Sequence, residues 1–143
     1  MRLRESAVDK ITKVYLDDEF LEKYSMHEGK EIAVQILTEP EVIEQDSILI
    51  MIRRWDPVSW ELTQIKEIFV WWYMTLNEFG TIMSSMLDIP LENIQACKII
   101  SMWNFYWVQL PYETWQSLKG SNNYLAADPF YLSTDGLLFV FKD

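Results

Sequence analysis

The chain has 143 residues, half of them hydrophobic, and its 22 Asp and Glu outnumber its 12 Lys and Arg for a formal charge of −10. The length suits one ordinary domain, or one small domain plus a fragment, and so much apolar material excludes an intrinsically disordered chain. The charge argues against nucleic acid or anionic lipid as partner, because a phosphate-binding surface needs clustered Lys and Arg; a protein carrying a basic patch is expected instead.

Cys97 is the only cysteine, so no internal disulfide can form, which suits a reducing compartment. No apolar run is long enough to span a bilayer, and the opening "MRLRESAVDK" lacks the apolar stretch of a secretory signal. A soluble protein of the cytoplasm, the nucleus or both is the expectation.

In chain order, residues 1–44 read as two short strands and a longer last one. "TKVYLDD" alternates into an acidic turn, and "FLEKYSMHEG" is a compact connection ending at Gly29, a natural positive-φ stop. "KEIAVQIL" sets Ile32, Val34 and Ile36 against Glu31, Ala33 and Gln35, the period of a half-buried strand with the apolar set facing inward. "TEPEVIEQDS" is a charged linker and marks a boundary.

Beyond the linker, "ILIMIRRW" (48–55) is a strongly apolar strand closed by turn chemistry at Asp56 and Pro57. "QIKEIFVWWYM" (64–74) is a second strand whose two faces both become apolar toward its end, so both are expected to be covered there. "TLNE" then forms a capping box, Thr75 with Glu78, at the start of a helix. Leu76, Phe79, Ile82, Met83, Met86 and Leu87 form its apolar stripe, and Gly80 allows close approach to the sheet. Asp88 to Pro90 end the helix. "NIQACKII" is a third strand, and "DGLLFVFKD" closes the chain after a turn at Gly136. Strand, strand, helix, strand and strand, in that order, describe an α+β roll.

That order resembles the ubiquitin fold, the β-grasp (ββαββ), in "ILIMIRRW", "EIFVWWYMT", "LNEFGTIMSSML", "DIPLENIQACKI" and "LLFVFKD". "KVYLDDEFLEKYSMHEGKEIAVQIL" looks like the closing part of a second such module. The resemblance implies that residues 1–44 are the C-terminal strands of a preceding ubiquitin-like module plus an acidic linker, and that residues 45–143 are a complete ubiquitin-like domain. Tandem modules of this kind occur in the C-terminal halves of ubiquitin-specific proteases, and "RRWDPVSWELTQIKEI" and "YLSTDGLLFVFKD" are most similar to the branch numbered 40 and 47, with 40 the nearer. Such modules recruit partners or adjust the catalytic domain of the same protease. The final "FVFKD" lacks the Gly-Gly tail needed for conjugation. A shortened first module would leave the edge of "KEIAVQIL" open to pairing, and hence to self-association.

Relative to ubiquitin, residues 100–127 are an insertion holding the densest aromatic window, "MWNFYWVQLPYETW" (102–115). It is expected to fold over the open face of the sheet, covering whichever of Trp71 and Trp72 faces away from the helix. Rings left outside would form a partner surface, for which Trp103, Phe105 and Trp107 are the candidates, since aromatics are enriched where proteins dock. Arg53, Arg54 and Trp55 at the "IRRWDP" turn are further candidates, with local salt bridges as the plainer reading of the two arginines.

No catalytic, cofactor or metal site is expected. Cys97 and His27 are the sole materials for a cysteine–histidine pair, but Cys97 sits in an apolar strand, the ordinary place of an inert thiol. The carboxylates follow no calcium-loop spacing, the lone histidine supports no zinc site, and the four glycines are too scattered for a phosphate loop. Two other readings remain: a small-ligand domain whose cavity is bordered by Trp103, Tyr106 and Trp107, and a cysteine enzyme using Cys97.

Overall fold

Alternating residues at the start of the chain form three strands, β1 (Arg2–Ala7), β2 (Lys10–Tyr15) and β3 (Ile32–Gln35). They pair antiparallel in the order β2-β1-β3, with Leu3 opposite both Tyr15 and Val34. These assignments come from a computed structural model that describes residues 1–7, 10–15, 26, 28–41, 43–99 and 115–143. The last strand, expected to be the longest of the three, is the shortest at four residues.

The period of two in β3 holds, but its faces are exchanged relative to expectation. Ile32, Val34 and Ile36 are exposed, at 43%, 60% and 88%, whereas Ala33 and Gln35 are half-buried. The reason is charge. Directly opposed residues share a face, and Arg2 lies opposite Gln35 as Arg4 lies opposite Ala33. Both arginines are buried, and that face lies against Glu67 of the second sheet.

The second sheet contains β4 (Ser47–Asp56), β5 (Glu61–Leu62), β6 (Lys66–Trp71), β7 (Gln95–Ile99), β8 (Gln116–Ser117) and β9 (Leu137–Lys142). Its order is β5-β4-β9-β7-β8, and β6 pairs along the first half of β4. β4 and β9 run parallel, from Ile50 opposite Leu137 to Arg54 opposite Phe141; the other pairings are antiparallel. β5 and β8 are two residues each, too short to carry a period, and the sequence does not announce them.

Among the described residues one helix, α1 (Leu76–Leu87), packs on this sheet, giving an α+β arrangement. It starts at the expected capping box. Thr75 Oγ1 accepts from the Glu78 N–H at 3.2 Å, and Glu78 Oε2 accepts from the Thr75 N–H at 2.8 Å. Two more first-turn donors that lack a helical acceptor find one in the later chain: Leu76 N–H donates to Asn123 O at 2.8 Å and Asn77 N–H to Ser121 O at 3.1 Å. Asp88 closes the helix in the left-handed region.

Leu76, Phe79, Gly80, Met83 and Leu87 form the buried side, while Ile82 and Met86 are 38% and 40% exposed, so the stripe is narrower than expected. Gly80 does allow a close approach, but to the chain after β8 and to Leu91 rather than to the sheet. A Cβ there would stand 2.7 Å from Leu118 Cβ and 3.0 Å from Leu91 Cδ1. Below the helix, Phe79 meets Phe139 and Phe141 edge-on, each at 5.6 Å between ring centroids. Leu118, Leu125, Phe130 and Leu132 complete the same core.

The neighbouring tryptophans also part from expectation. Trp71 ends β6, packs partly against the core, and donates its indole N–H to Glu44 Oε2 at 2.7 Å. Trp72 lies past the strand end, 46% exposed and edge-on to Tyr73, so it needs no second cover.

Side-chain charge ties the two sheets together. Arg2 Nη1 donates to Glu67 Oε2 at 2.9 Å and to Gln35 Oε1 at 2.8 Å, and Arg2 Nε donates to Glu41 Oε2 at 2.9 Å. Arg4 pairs with the other oxygen of Glu67. Asp135 adds a neutral-donor bridge: its carboxylate accepts from Val14 N–H of β2 at 2.9 Å and Leu49 N–H of β4 at 2.8 Å. Burial works against ionised Glu67, but the Gln35 hydrogen bond and the Arg4 and Arg2 charges outweigh it and hold its pKa below the ordinary glutamate value.

A carboxylate with a depressed folded pKa stabilises the fold above its unfolded pKa, and that contribution is lost as pH falls through the folded value. Wild type should therefore lose melting temperature steeply below pH about 4.3, the unperturbed glutamate value. Glu67→Gln should be less stable at neutral pH by roughly 2–3 kcal/mol, because it strands buried guanidinium groups, discounted for the partial exposure of Glu67. Its acid loss should be shallower, and parallel pH profiles of the two melting temperatures check this. Gly80→Ala should also destabilise: the helix-propensity gain of about 1 kcal/mol is smaller than the roughly 1–3 kcal/mol of overpacking against Leu118. Denaturant midpoints measure it, and a raised midpoint would contradict the close packing.

Candidate interaction surface

The turn between β4 and β5 is built by Asp56. Its Oδ1 accepts from Val58 N–H at 2.8 Å and Ser59 N–H at 3.4 Å, the side chain of an aspartate substituting for turn backbone. The Val58 backbone hydrogen bond, with help from Ser59, keeps the Asp56 pKa below its ordinary value. Trp60 follows at a φ of 60°, in the left-handed region that bulky side chains avoid. The turn projects it outward: Trp60 is 81% exposed and Val58 90%.

Four side chains meet at this tip, Trp55 from β4, Lys142 from β9, Trp60 from the turn before β5 and Trp115 from just before β8. Trp55 stands edge-on to Trp60, with centroids 6.1 Å apart and planes at 73°. On its other side it stacks with Trp115 at 5.8 Å and 22°. Lys142 Nζ lies 4.6 Å from the Trp115 ring centre and 5.8 Å from that of Trp55, within cation–π range.

Of the residues the sequence singles out, Trp55 belongs to this cluster. Arg53 and Arg54 are engaged elsewhere, by backbone carbonyls rather than by carboxylates. Arg53 Nε donates to Thr63 O at 2.6 Å, and Arg54 Nη1 donates to Leu87 O at 2.9 Å. The second contact puts a cation at the C-terminus of α1, whose last turn has no basic residue of its own. Trp103, Phe105 and Trp107 lie outside the described residues, as does the expected cover of the sheet by residues 102–114. Trp60 and Trp115 were not among the candidates. An isolated Trp in "DPVSW" signals nothing locally, and its exposure becomes visible only once the turn is built.

Cys97 is fully buried in β7, its Sγ 3.7 Å from Lys98 O. His27 lies outside the described residues, so the pair of the two is not placed. Lys98 reaches the carbonyl of Phe130, and burial pushes its pKa down. Among the described residues, no three His, Cys, Asp or Glu side chains gather as a metal site would require. A groove of about 420 Å³ runs along the seam of the two sheets, lined by Glu5, Lys13, Ser47, Ser133, Thr134 and Asp135 among others. Its lining includes Ile48 and no aromatic ring, so it is not the cavity of the small-ligand reading, whose Trp103, Tyr106 and Trp107 are outside the described residues. No helix among those described is long and apolar enough to cross a membrane.

The family model for "Ubiquitin carboxyl-terminal hydrolase 47 C-terminal" matches residues 1–143, the full length of the chain. No match was found among curated proteins. The matched family is one of the two branches that the sequence resembles, and it implies a non-catalytic region of a deubiquitinase. The chain is a member of the ubiquitin carboxyl-terminal hydrolase 47 C-terminal family.

Proposed function

We propose that this chain is a ubiquitin-like interaction module of a deubiquitinating cysteine protease, which recruits protein partners or adjusts the catalytic domain by binding it. One observation carries the ubiquitin-like part of this reading. β4, β6, α1, β7 and β9 follow the order ββαββ, and the first and last of these strands lie side by side and parallel at the centre of the sheet. A β-grasp reading accounts for this arrangement, with β5 and β8 as short additions to it. Two separate sheets support a division into residues 1–44, with the acidic linker, and residues 45–143.

The partner surface in this reading is the Trp55–Trp60–Trp115 cluster. Exposed tryptophans are costly to leave in water and dominate binding where they are covered. The net charge of −10 suits a basic partner and speeds its approach. We take the place of work to be the cytoplasm or nucleus, because a single cysteine allows no internal disulfide.

Titrating the chain into the isolated catalytic domain of a hydrolase of this family, while following both binding and ubiquitin cleavage, tests the regulatory arm. Saturable binding with a changed cleavage rate is expected. Neither binding nor a rate change would remove that arm and leave recruitment of an outside protein. The chain alone should not cleave a fluorogenic ubiquitin substrate. Cys97 should react with a thiol reagent only on unfolding, because a fully buried thiol is inaccessible; rapid modification of the folded chain would reopen the cysteine-enzyme reading.

A further inference from the structure

We propose that the β4–β5 tip is a docking corner for a proline-rich segment in the polyproline II conformation, with a basic residue at its flank. This rests on the interaction reading above and names the chemistry of its partner.

The rings set the shape. Trp55 and Trp60 meet at 73°, so their ring planes stand near a right angle, with Trp60 exposed and Trp55 half-buried. Flat, apolar pyrrolidine rings fit such a corner, and proline-rich segments dock on aromatic-lined surfaces in this way. An amphipathic helix needs a longer groove for anchors spread over two turns, which a single corner does not offer.

The donors agree. A polyproline II backbone makes no internal hydrogen bonds, so its carbonyls are free to accept. Among the described residues, the Trp71 indole N–H is taken by Glu44, whereas no such partner holds the indole N–H of Trp55 or Trp60. The corner therefore offers what a proline-rich chain lacks, a donor beside an apolar face.

The corner is also preformed. Asp56 locks the turn through Val58 and Ser59, and on the β5 side Thr63 Oγ1 accepts from Arg54 N–H at 2.8 Å. Trp60 is held in a backbone region that a tryptophan does not choose for itself. A rigid tip meeting a stiff ligand loses little conformational freedom on binding.

Charge decides the flank. Asp56 follows Trp55, Glu61 follows Trp60, and the two carboxylate residues are directly opposed across β4 and β5, an arrangement that repels itself. Arg54 is the cation that acts on Asp56, and Lys142 lies over the Trp55 and Trp115 rings, so exposed Glu61 is the carboxylate left for a partner's charge. A lysine or arginine beside the prolines would relieve the repulsion.

The test is a titration of the nitrogen-15-labelled chain with an oligoproline peptide ending in two arginines, read at the tryptophan indole N–H resonances. A glycine–serine peptide with the same arginines is the control. The Trp60 and Trp55 signals should shift and saturate with the proline peptide and stay still with the control. Trp60→Gly, compatible with the backbone at that position, should weaken binding by about tenfold or more. Glu61→Lys should weaken the arginine-ended peptide a few-fold and leave an uncharged oligoproline unchanged. Equal response to both peptides would overturn the proposal, leaving only non-specific charge. A silent Trp60 with peptide that still responds to the catalytic domain would overturn the proline-rich class and keep the interaction reading. A Trp60 silent to both would overturn the partner surface itself.

Discussion

The larger sheet depends on the parallel pairing of β4 with β9. Parallel neighbours cannot be joined by a tight turn, so the chain between Asp56 and Leu137 must leave the sheet and return. On the way it lays α1 across one face and packs Leu118, Leu125 and Phe130 into the same core. Parallel strands also end on the same side. With Arg54 opposite Phe141, the next residues, Trp55 and Lys142, come out together at one edge. β8, paired to β7 beside β9, brings Trp115 to the same place. The aromatic surface is thus a by-product of strand order: residues far apart in the chain meet because β4 and β9 finish side by side where β8 begins.

The join between the two sheets follows a different logic. Arg2 and Arg4 are buried, and a buried guanidinium without partners would be very costly. Glu67 faces both, with Glu41 and Gln35 completing the set and the ring of Phe69 lying 5.3 Å from the Arg2 guanidinium carbon. Such a network adds less net stability than its contacts suggest, because desolvation offsets the attraction. Its effect is on arrangement: only one face of β1 can meet Glu67, and that choice sends Ile32 and Val34 outward.

The "RRW" run shows how one short motif divides between scaffold and surface. Arg53 braces the β5 segment and Arg54 closes the end of α1, each by donating to a backbone carbonyl. They hold the hairpin in place, so that Trp55 can hold Trp60. The arginine–aromatic contact expected at this edge does not form; the cation there is Lys142, which lies over the rings of Trp55 and Trp115. The two arginines thus serve the scaffold, while Trp55 joins the ring cluster at the tip.

Local physics was legible in the sequence. Thr75 and Glu78 three residues apart specify the start of α1, because both hydrogen bonds of the box close within one turn. The apolar runs around Ile50, Val70 and Val140 specify strands, since a β-branched, uncharged run has few other stable fates. The sequence also determined that β3 has one apolar and one polar face. Which face turned inward was decided by the tertiary structure, because alternation is symmetric and only the meeting of Arg2 and Arg4 with Glu67 breaks the symmetry. β5, β8 and the exposure of Trp60 were hidden for a related reason: each exists through pairing with a strand distant in sequence or through a turn held by one carboxylate. The ring corner at Trp55 needed all of these at once, since nothing along the chain records that its neighbours would arrive from Trp60, Trp115 and Lys142.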